Sequence, residues 1–306
     1  MKLSIVTTLY YSAEYIAEFY KRITETAKKI TDNYEIIFVN DGSLDNSSSI
    51  VIDLNQQDGR VKLVDLSRNF GHHKAIMTGL VKSSGDRVFL IDVDLEEDPE
   101  LLEHFSEIMN KDNDVEVVYG VQETRKGKFI ERITGKVFYK IFNSLSDTPI
   151  PRNYMTVRLM TARYVSELIS YREAQFNFSI LTELTGFNQT AVTVKKHSTS
   201  VTTYTPSKKL RMLVDAVTSS SSKPLYMVFY FGSVVTLVSC MYIFKILFDT
   251  LFLGSKLEGW PSIIVSIWFF GGVLSMFLGV VGLYISRIYI ETKKRPYIHI
   301  KNSVGL

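Results

Sequence analysis

The sequence predicts an α/β domain on a mostly parallel sheet, followed by a short amphipathic helix and two helices long enough to cross a membrane. Three observations carry this. Short β-branched runs alternate with longer amphipathic stretches over the first two thirds of the chain. Acidic and glycine-containing loops fall at the ends of those runs. Two long apolar segments, almost free of charge, lie near the C-terminal end.

The elements follow in order. Leu3 to Leu9 and Glu35 to Asn40 are rich in Val, Ile and Phe and read as strands. Between them, Ala13 to Thr31 carries Ile16, Phe19, Ile23, Ala27 and Ile30 at helical spacing. A helix from Asn46 to Gln56 leads to a strand from Val61 to Leu66. A helix from His72 to Ser83 leads to a strand from Arg87 to Asp92, and Asp98-Pro99-Glu100 opens another helix. In sheets of this kind ligands bind at the carboxyl ends of the strands.

The character changes near Pro206. Ser207 to Val217 is a short amphipathic helix with basic residues on its polar side, and the serine-rich stretch before Pro224 is a hinge. Tyr226 to Phe248 and Ser262 to Ile285 are each long enough to span a hydrocarbon core of about 30 Å. Lys208, Lys209, Arg211 and Lys223 precede the first span, and Arg287, Lys293, Lys294 and Arg295 follow the second; the loop between carries only Lys256 among basic residues. The positive-inside rule then predicts a multi-pass protein of the bacterial inner (plasma) membrane, with the folded domain and both termini cytoplasmic. The N-terminus runs directly into a strand and lacks a secretory signal's apolar core. The predicted divisions are 1–205 for the α/β domain, 206–224 for the interfacial helix and hinge, and 225–306 for the anchor and its tail.

Composition agrees. The chain has 306 residues, 46% of them hydrophobic, and a mean hydropathy of +0.08, which suggests lipid-facing segments. A net charge of +3 leaves no footprint of nucleic-acid binding. The single cysteine, Cys240, excludes an intrachain disulfide and a cysteine-based zinc site.

The chemistry centres on Asp92-Val93-Asp94. Two carboxylates two apart in extended chain point the same way and can share one hard cation, Mg²⁺ or Mn²⁺, together with the diphosphate of a nucleotide. An isolated Asp-x-Asp is most often a solvated turn, so the context decides. Asn40-Asp41-Gly42-Ser43 ends the second strand, where an acidic residue suits a ribose or base. Leu66-Ser67-Arg68-Asn69-Phe70-Gly71 precedes a helix whose N-terminus favours phosphate, with Arg68 assisting. His72 and His73, being adjacent, point apart and read as hydrogen-bonding or structural residues rather than metal ligands.

Tyr10, Asn40-Asp41-Gly42-Ser43, Ser67-Arg68-Asn69-Phe70-Gly71, Gly85-Asp86 and Asp92-Val93-Asp94-Leu95 with Pro99-Glu100 resemble the family 2 glycosyltransferases of GT-A fold. Within these, the chain is similar to the polyprenyl-phosphate glycosyltransferases, including dolichol-phosphate mannose synthases and bacterial glucosyl-carrier synthases. The similarity extends to Ser219-Ser220-Ser221-Ser222-Lys223-Pro224-Leu225 before the spans. The resemblance implies an inverting hexosyltransferase of cell-envelope polysaccharide synthesis, with a nucleotide-sugar donor, a polyprenyl phosphate acceptor and membrane lipids as partners. It implies that Thr8, Tyr10, Val39, Asp41, Arg68, Asp92, Arg125 and Arg132 bind the donor. Asp92, Asp94 and Glu96 would hold the metal, Glu96 standing where the family usually has glutamine. Asp94 and Arg125 would act directly in transfer, and Lys196, Lys208, Lys209 and Arg211 would receive the lipid phosphate.

The departures leave the acceptor open. Thr156 stands where the family commonly has an aspartate, and a threonine is no general base at neutral pH. A phosphate acceptor is already ionised and needs none; a hydroxyl on a lipid-linked glycan needs one, for which Glu97 or Asp98 is the candidate. The terminal architecture favours lipid phosphate. The basic segment that follows in the family is degraded here, leaving Lys196, His197 or Lys208 in its place. A non-catalytic donor-binding membrane protein is the remaining alternative. Gly271, Gly272, Gly279 and Gly282 would allow a homo-oligomer to pack through its spans.

Overall fold

The computed structural model describes residues 1–122, 140–146, 153–173, 176–195, 197, 214, 217–218, 221–253 and 259–306. The interfacial helix proposed for Ser207 to Val217 lies outside these, save residues 214 and 217. Two compact units emerge. One comprises Met1–Lys140, Thr148–Pro206 and Arg295–Leu306; the other comprises Ile141–Asp147 and Ser207–Lys294.

The first unit is an eight-stranded sheet with helices against both faces. In chain order it holds β1 (Leu3–Leu9), α1 (Ile16–Lys28), β2 (Tyr34–Asn40), α2 (Ser47–Gln57), β3 (Val61–Leu66), α3 (His72–Lys82), β4 (Arg87–Leu90) and α4 (Leu101–Lys111). Then come β5 (Val117–Gln122), β6 (Tyr154–Thr161), α5 (Ala162–Ser170), α6 (Phe178–Leu184), β7 (Gln189–Val194) and, at the far end of the chain, β8 (Ile300–Val304). The spatial order is β7-β5-β6-β4-β1-β2-β3-β8. Strands β1 to β4 run parallel, β6 opposes both β4 and β5, and β8 opposes β3.

All seven residues of β1 and all seven of β2 are buried. That follows from their place in the middle of a sheet covered on both sides, where strands read as continuous apolar runs. One core layer joins Ile5, Ile36 and Phe89 to Phe19 and Ile23 of α1 and Phe105 of α4. The opposite layer joins Val6, Val39 and Leu90 to Ile76 and Leu80 of α3. Helix α3 can lie this close because Gly79 has no side chain; a Cβ there would meet Val6 at 2.4 Å.

The topology fixes where a ligand sits. The chain goes from β1 outward to β2 and β3, then crosses through α3 to β4 on β1's other side. The strand order therefore reverses between β1 and β4, and in sheets of this kind the ligand crevice lies outside the carboxyl ends of two such strands.

The second unit contains α7 (Lys223–Leu253) and α8 (Trp260–Thr292). Large apolar side chains are exposed along both, among them Phe229, Phe244, Trp268 and Leu278. Among the described residues, Ser266–Thr292 is apolar and long enough to cross a membrane, and Lys223–Ser239 is a shorter apolar stretch. The Tyr284 hydroxyl donates to the Ser221 carbonyl at 2.7 Å, and Lys223 Nζ donates to the Ser146 carbonyl at 2.6 Å.

Candidate active site

Four loops leave the carboxyl ends of β1 to β4. After β1, Tyr10 is half exposed, its ring 4.7 Å from that of Tyr11 in an edge-on pair. Tyr11 takes a positive φ of 52°, a costly conformation for a bulky residue, and its amide donates to Ser43 Oγ at 2.8 Å. The first loop is thus tied to the second.

After β2, Asp41 is buried. Its carboxylate accepts from the Phe70 amide at 2.7 Å and the Gly71 amide at 2.9 Å, so it fixes the loop that precedes α3. Burial raises its pKa, against the opposing effect of the two amides and of Lys74 nearby. Gly42 has φ 65° and lies directly against the Arg68–Asn69 peptide. Arg68 itself is exposed, its guanidinium 4.4 Å over the Phe70 ring.

β4 ends at Leu90, short of the Asp92 expected from the sequence, and Val93 and Asp94 lie in a turn and not in extended chain. Val93 is buried there, with Asp92 and Asp94 half-buried on either side of it. Asp94 Oδ1 accepts from the Glu96 amide at 3.0 Å, and Leu95 between them takes φ 58°, so this turn too is held in a strained form. Among the described residues, Asp92 Oδ1 is buried with no hydrogen-bond partner. His72 Nε2 lies 3.6 Å from this oxygen, while its Nδ1 shares a 3.1 Å hydrogen bond with Thr8 Oγ1. Thr8, His72 and Asp92 thus come together across the crevice from the end of β1, the start of α3 and the end of β4.

A carboxylate oxygen with no partner among the described residues, next to a second carboxylate in the turn that follows β4, suits a hard divalent cation, which commonly takes one or two protein carboxylates and completes its shell with phosphate and water. Asp92 and Asp94 fit that group. Among the described residues no three His, Asp or Glu side chains gather as a metal cluster, so Glu96 does not stand beside them as a third preformed ligand. Glu96 is buried, and its carbonyl accepts from the His197 amide at 2.8 Å, which brings the end of β7 to this loop.

The remaining residues read from the sequence divide as follows. Val39 is fully buried and packs toward Gly79 of α3, so its side chain belongs to the layer beneath the strand ends. Asp98 accepts from Arg22 at 2.9 Å and pairs with His197 Nε2 at 3.2 Å, and Glu97 is 1% exposed. His73 accepts from the Phe178 amide at 3.4 Å; burial and the neighbouring His72 push its pKa down to about 4, a structural histidine as its spacing suggested. Arg125, Arg132, Lys196, Lys208, Lys209 and Arg211 lie outside the described residues. Two further polar residues at the start of α3, His72 and Lys74, lie near Asp92 and Asp41. His72 was read only as hydrogen-bonding or structural. Lys74, in the first turn of α3, has its pKa lowered by burial and by Arg68 and raised by Asp41. A cation in the first turn of a helix following a glycine-capped loop was the available signal.

Comparison with known proteins gives a consistent result. Residues 4–169 match the model of glycosyl transferase family 2. A protein of Mycobacterium tuberculosis described among putative glycosyltransferases is 45% identical over all of this chain and 89% of its own length. The bactoprenol glucosyl transferase of Shigella phage SfV is 34% identical over 99% of both chains. The crystal structure of a mycobacterial protein superposes with a TM-score of 0.52, at 14% identity, over 71% of this chain and 74% of its own. By this match, which spans more than half of the sequence, and by relatives that cover it end to end, the chain belongs to glycosyl transferase family 2.

Proposed function

We propose that this glycosyltransferase moves a sugar, with inversion, from a nucleotide-sugar to polyprenyl phosphate at the cytoplasmic face of a membrane. The observation that carries the reading is the orphaned Asp92 Oδ1, beside Asp94 and opposite Thr8 and His72, in the crevice where the strand order reverses. Bound there, Mg²⁺ or Mn²⁺ supplies charge neutralisation to the departing nucleoside diphosphate.

The chain's own residues do the rest. Tyr10 offers an exposed ring to the base, and Asp41 holds the Phe70–Gly71 turn against which the nucleotide rests. His72, Lys74 and Arg68 present positive or proton-donating groups at the N-terminus of α3, and Arg125 and Arg132 would add to them. An oxygen of the acceptor phosphate attacks the anomeric carbon as the bond to the diphosphate breaks. The electron pair leaves with the nucleotide.

Phosphate is favoured as acceptor because it needs no base. Thr156 cannot be one, and Asp98 is engaged by Arg22 and His197. The similarity to a bactoprenol glucosyl transferase over the whole chain supports the same reading. So does chain connectivity. Helices of 31 and 33 residues each exceed a hydrocarbon core of about 30 Å, and the chain that leaves the α/β unit at Pro206 rejoins it at Arg295. Two crossings would return it to the side it left. Lys196, Lys208, Lys209 and Arg211 would then meet the lipid phosphate at that surface.

The test is to incubate purified protein with undecaprenyl phosphate, a panel of nucleotide-sugars and Mn²⁺ or Mg²⁺, then extract the lipid. A glycolipid labile to mild acid, formed only with metal, is expected. Equal product with EDTA present would overturn the metal assignment, and label appearing only on a preformed lipid-linked glycan would overturn the acceptor.

A further inference from the structure

The segment after α8 is more than the end of an anchor. Residues Arg295–Leu306 belong to the α/β unit, and β8 lies antiparallel along β3, pairing Leu66 with Ile300 and Leu63 with Val304. What this strand touches is the edge from which the donor loop springs. The Ser67 amide, first residue of that loop, donates to the His299 carbonyl at 2.9 Å. The His299 ring lies 6.2 Å from the Phe70 ring, and Ile298 packs into the same apolar layer as Phe70 and Val64. Tyr297 sets its ring edge-on to Phe176 at 6.1 Å. Further along, Lys301 Nζ is 3.9 Å from Asp65, whose other oxygen accepts from Asn40 at 2.7 Å, immediately before Asp41.

We infer that residues 297–301 position the donor loop Ser67–Gly71 and, through it, Asp41, so that the nucleotide pocket is complete only when the tail is seated on β3. The inference rests on reading this pocket as the donor site. A loop whose amide, ring and flanking strand are held from outside loses less freedom when a nucleotide binds, and releasing it places that ordering cost on the ligand. Tyr297, Ile298 and His299 are positioning residues, remote from the sugar, so their loss is expected in donor affinity and not in the rate at saturation.

The experiment uses the full chain in detergent, with UDP and Mn²⁺ as probe in calorimetry and transfer kinetics alongside. Ile298→Asp, and separately the milder Tyr297→Ala and Lys301→Glu, should weaken UDP binding and raise donor KM by roughly tenfold for the first and less for the others, with kcat changed little. A chain ending at Lys294 should regain UDP affinity when a peptide of residues 295–306 is added, an effect that a merely destabilised fold would not show. Wild-type UDP affinity and KM in Ile298→Asp, or no response to the peptide where the truncated chain is folded, would overturn the inference. Failure of the wild-type protein to bind UDP or another nucleoside diphosphate would instead remove the donor-site reading.

Discussion

Gly42 and Arg68 meet backbone to backbone: a Cβ on Gly42 would lie 2.2 Å from the Arg68 carbonyl carbon. The two loops of the proposed nucleotide pocket therefore touch with no side chain between them, and Gly42 also holds φ 65°, which glycine adopts without strain.

Gly42→Ala should accordingly cost roughly 2 kcal/mol or more in stability, by overpacking and by strain at positive φ. It should also impair donor binding, because the loop must shift to admit the methyl. Thermal melting together with UDP titration checks this; an unshifted midpoint and unchanged affinity would contradict it.

His72 and His73 are expected to behave differently. His72→Ala removes the link between Thr8 and Asp92 and should lower kcat/KM for the donor by about tenfold, with partial recovery in His72→Asn. His73→Ala leaves the Phe178 amide without its acceptor and should lower the melting temperature, with kcat/KM in the surviving folded protein close to wild type. Equal kinetic losses in both variants would refute the distinction.

Asp92→Asn and Asp94→Asn each reduce the charge available to a cation and should lower transfer by about a thousandfold. The expected signature is a loss of Mn²⁺-dependent UDP binding in the same variants, measured without turnover. Variants that bind UDP and Mn²⁺ as the wild type does would show that the carboxylates serve another purpose.

At the opposite end of the sheet, Glu35 is buried among Lys2, Lys62, Ser4 and Ser84. Burial acts to raise its pKa, but the hydrogen bonds from these groups outweigh it and bring the carboxyl from 4.5 to about 2. A carboxylate whose pKa falls on folding contributes stability that is complete above its unfolded value. The contribution fades as pH drops through the folded one. About 3 kcal/mol should therefore be present at neutral pH and lost progressively between pH 4.5 and about 2. Glu35→Gln should lower stability at pH 7 and flatten the acid limb of the melting curve. A parallel acid limb in the variant would rule Glu35 out as its source.

The parts of the fold that were legible are those where local pattern and tertiary environment agree. Leu3–Leu9 and Val61–Leu66 were read to the residue, because apolar runs bounded by turn residues have one reading in a covered parallel sheet. Asp92 and Asp94 stand out in the sequence as a pair, but the extended alternation expected of them is replaced by a turn once β4 ends at Leu90. β8 was not legible, since Ile300–Val304 is mostly exposed and earns its strand geometry only from an edge supplied by β3, far away in sequence. Val39 is a different case. It borders Asp41's motif, but strand alternation turns it into the α3 layer, and only the position of Gly79 reveals that. The role of His72 likewise depends on two strand ends that no local spacing relates.

The late arrival of β8 has a consequence for biogenesis. During synthesis α7 and α8 are both made before Ile300–Val304 can reach β3. Until then β3 presents an open edge, the kind of surface that recruits stray strands and favours aggregation. A nascent chain halted between the apolar helices and its last residues would be both sticky and poorly able to hold a donor. Quality control and the onset of activity would thus coincide at one event, the closing of that edge by Ile300–Val304.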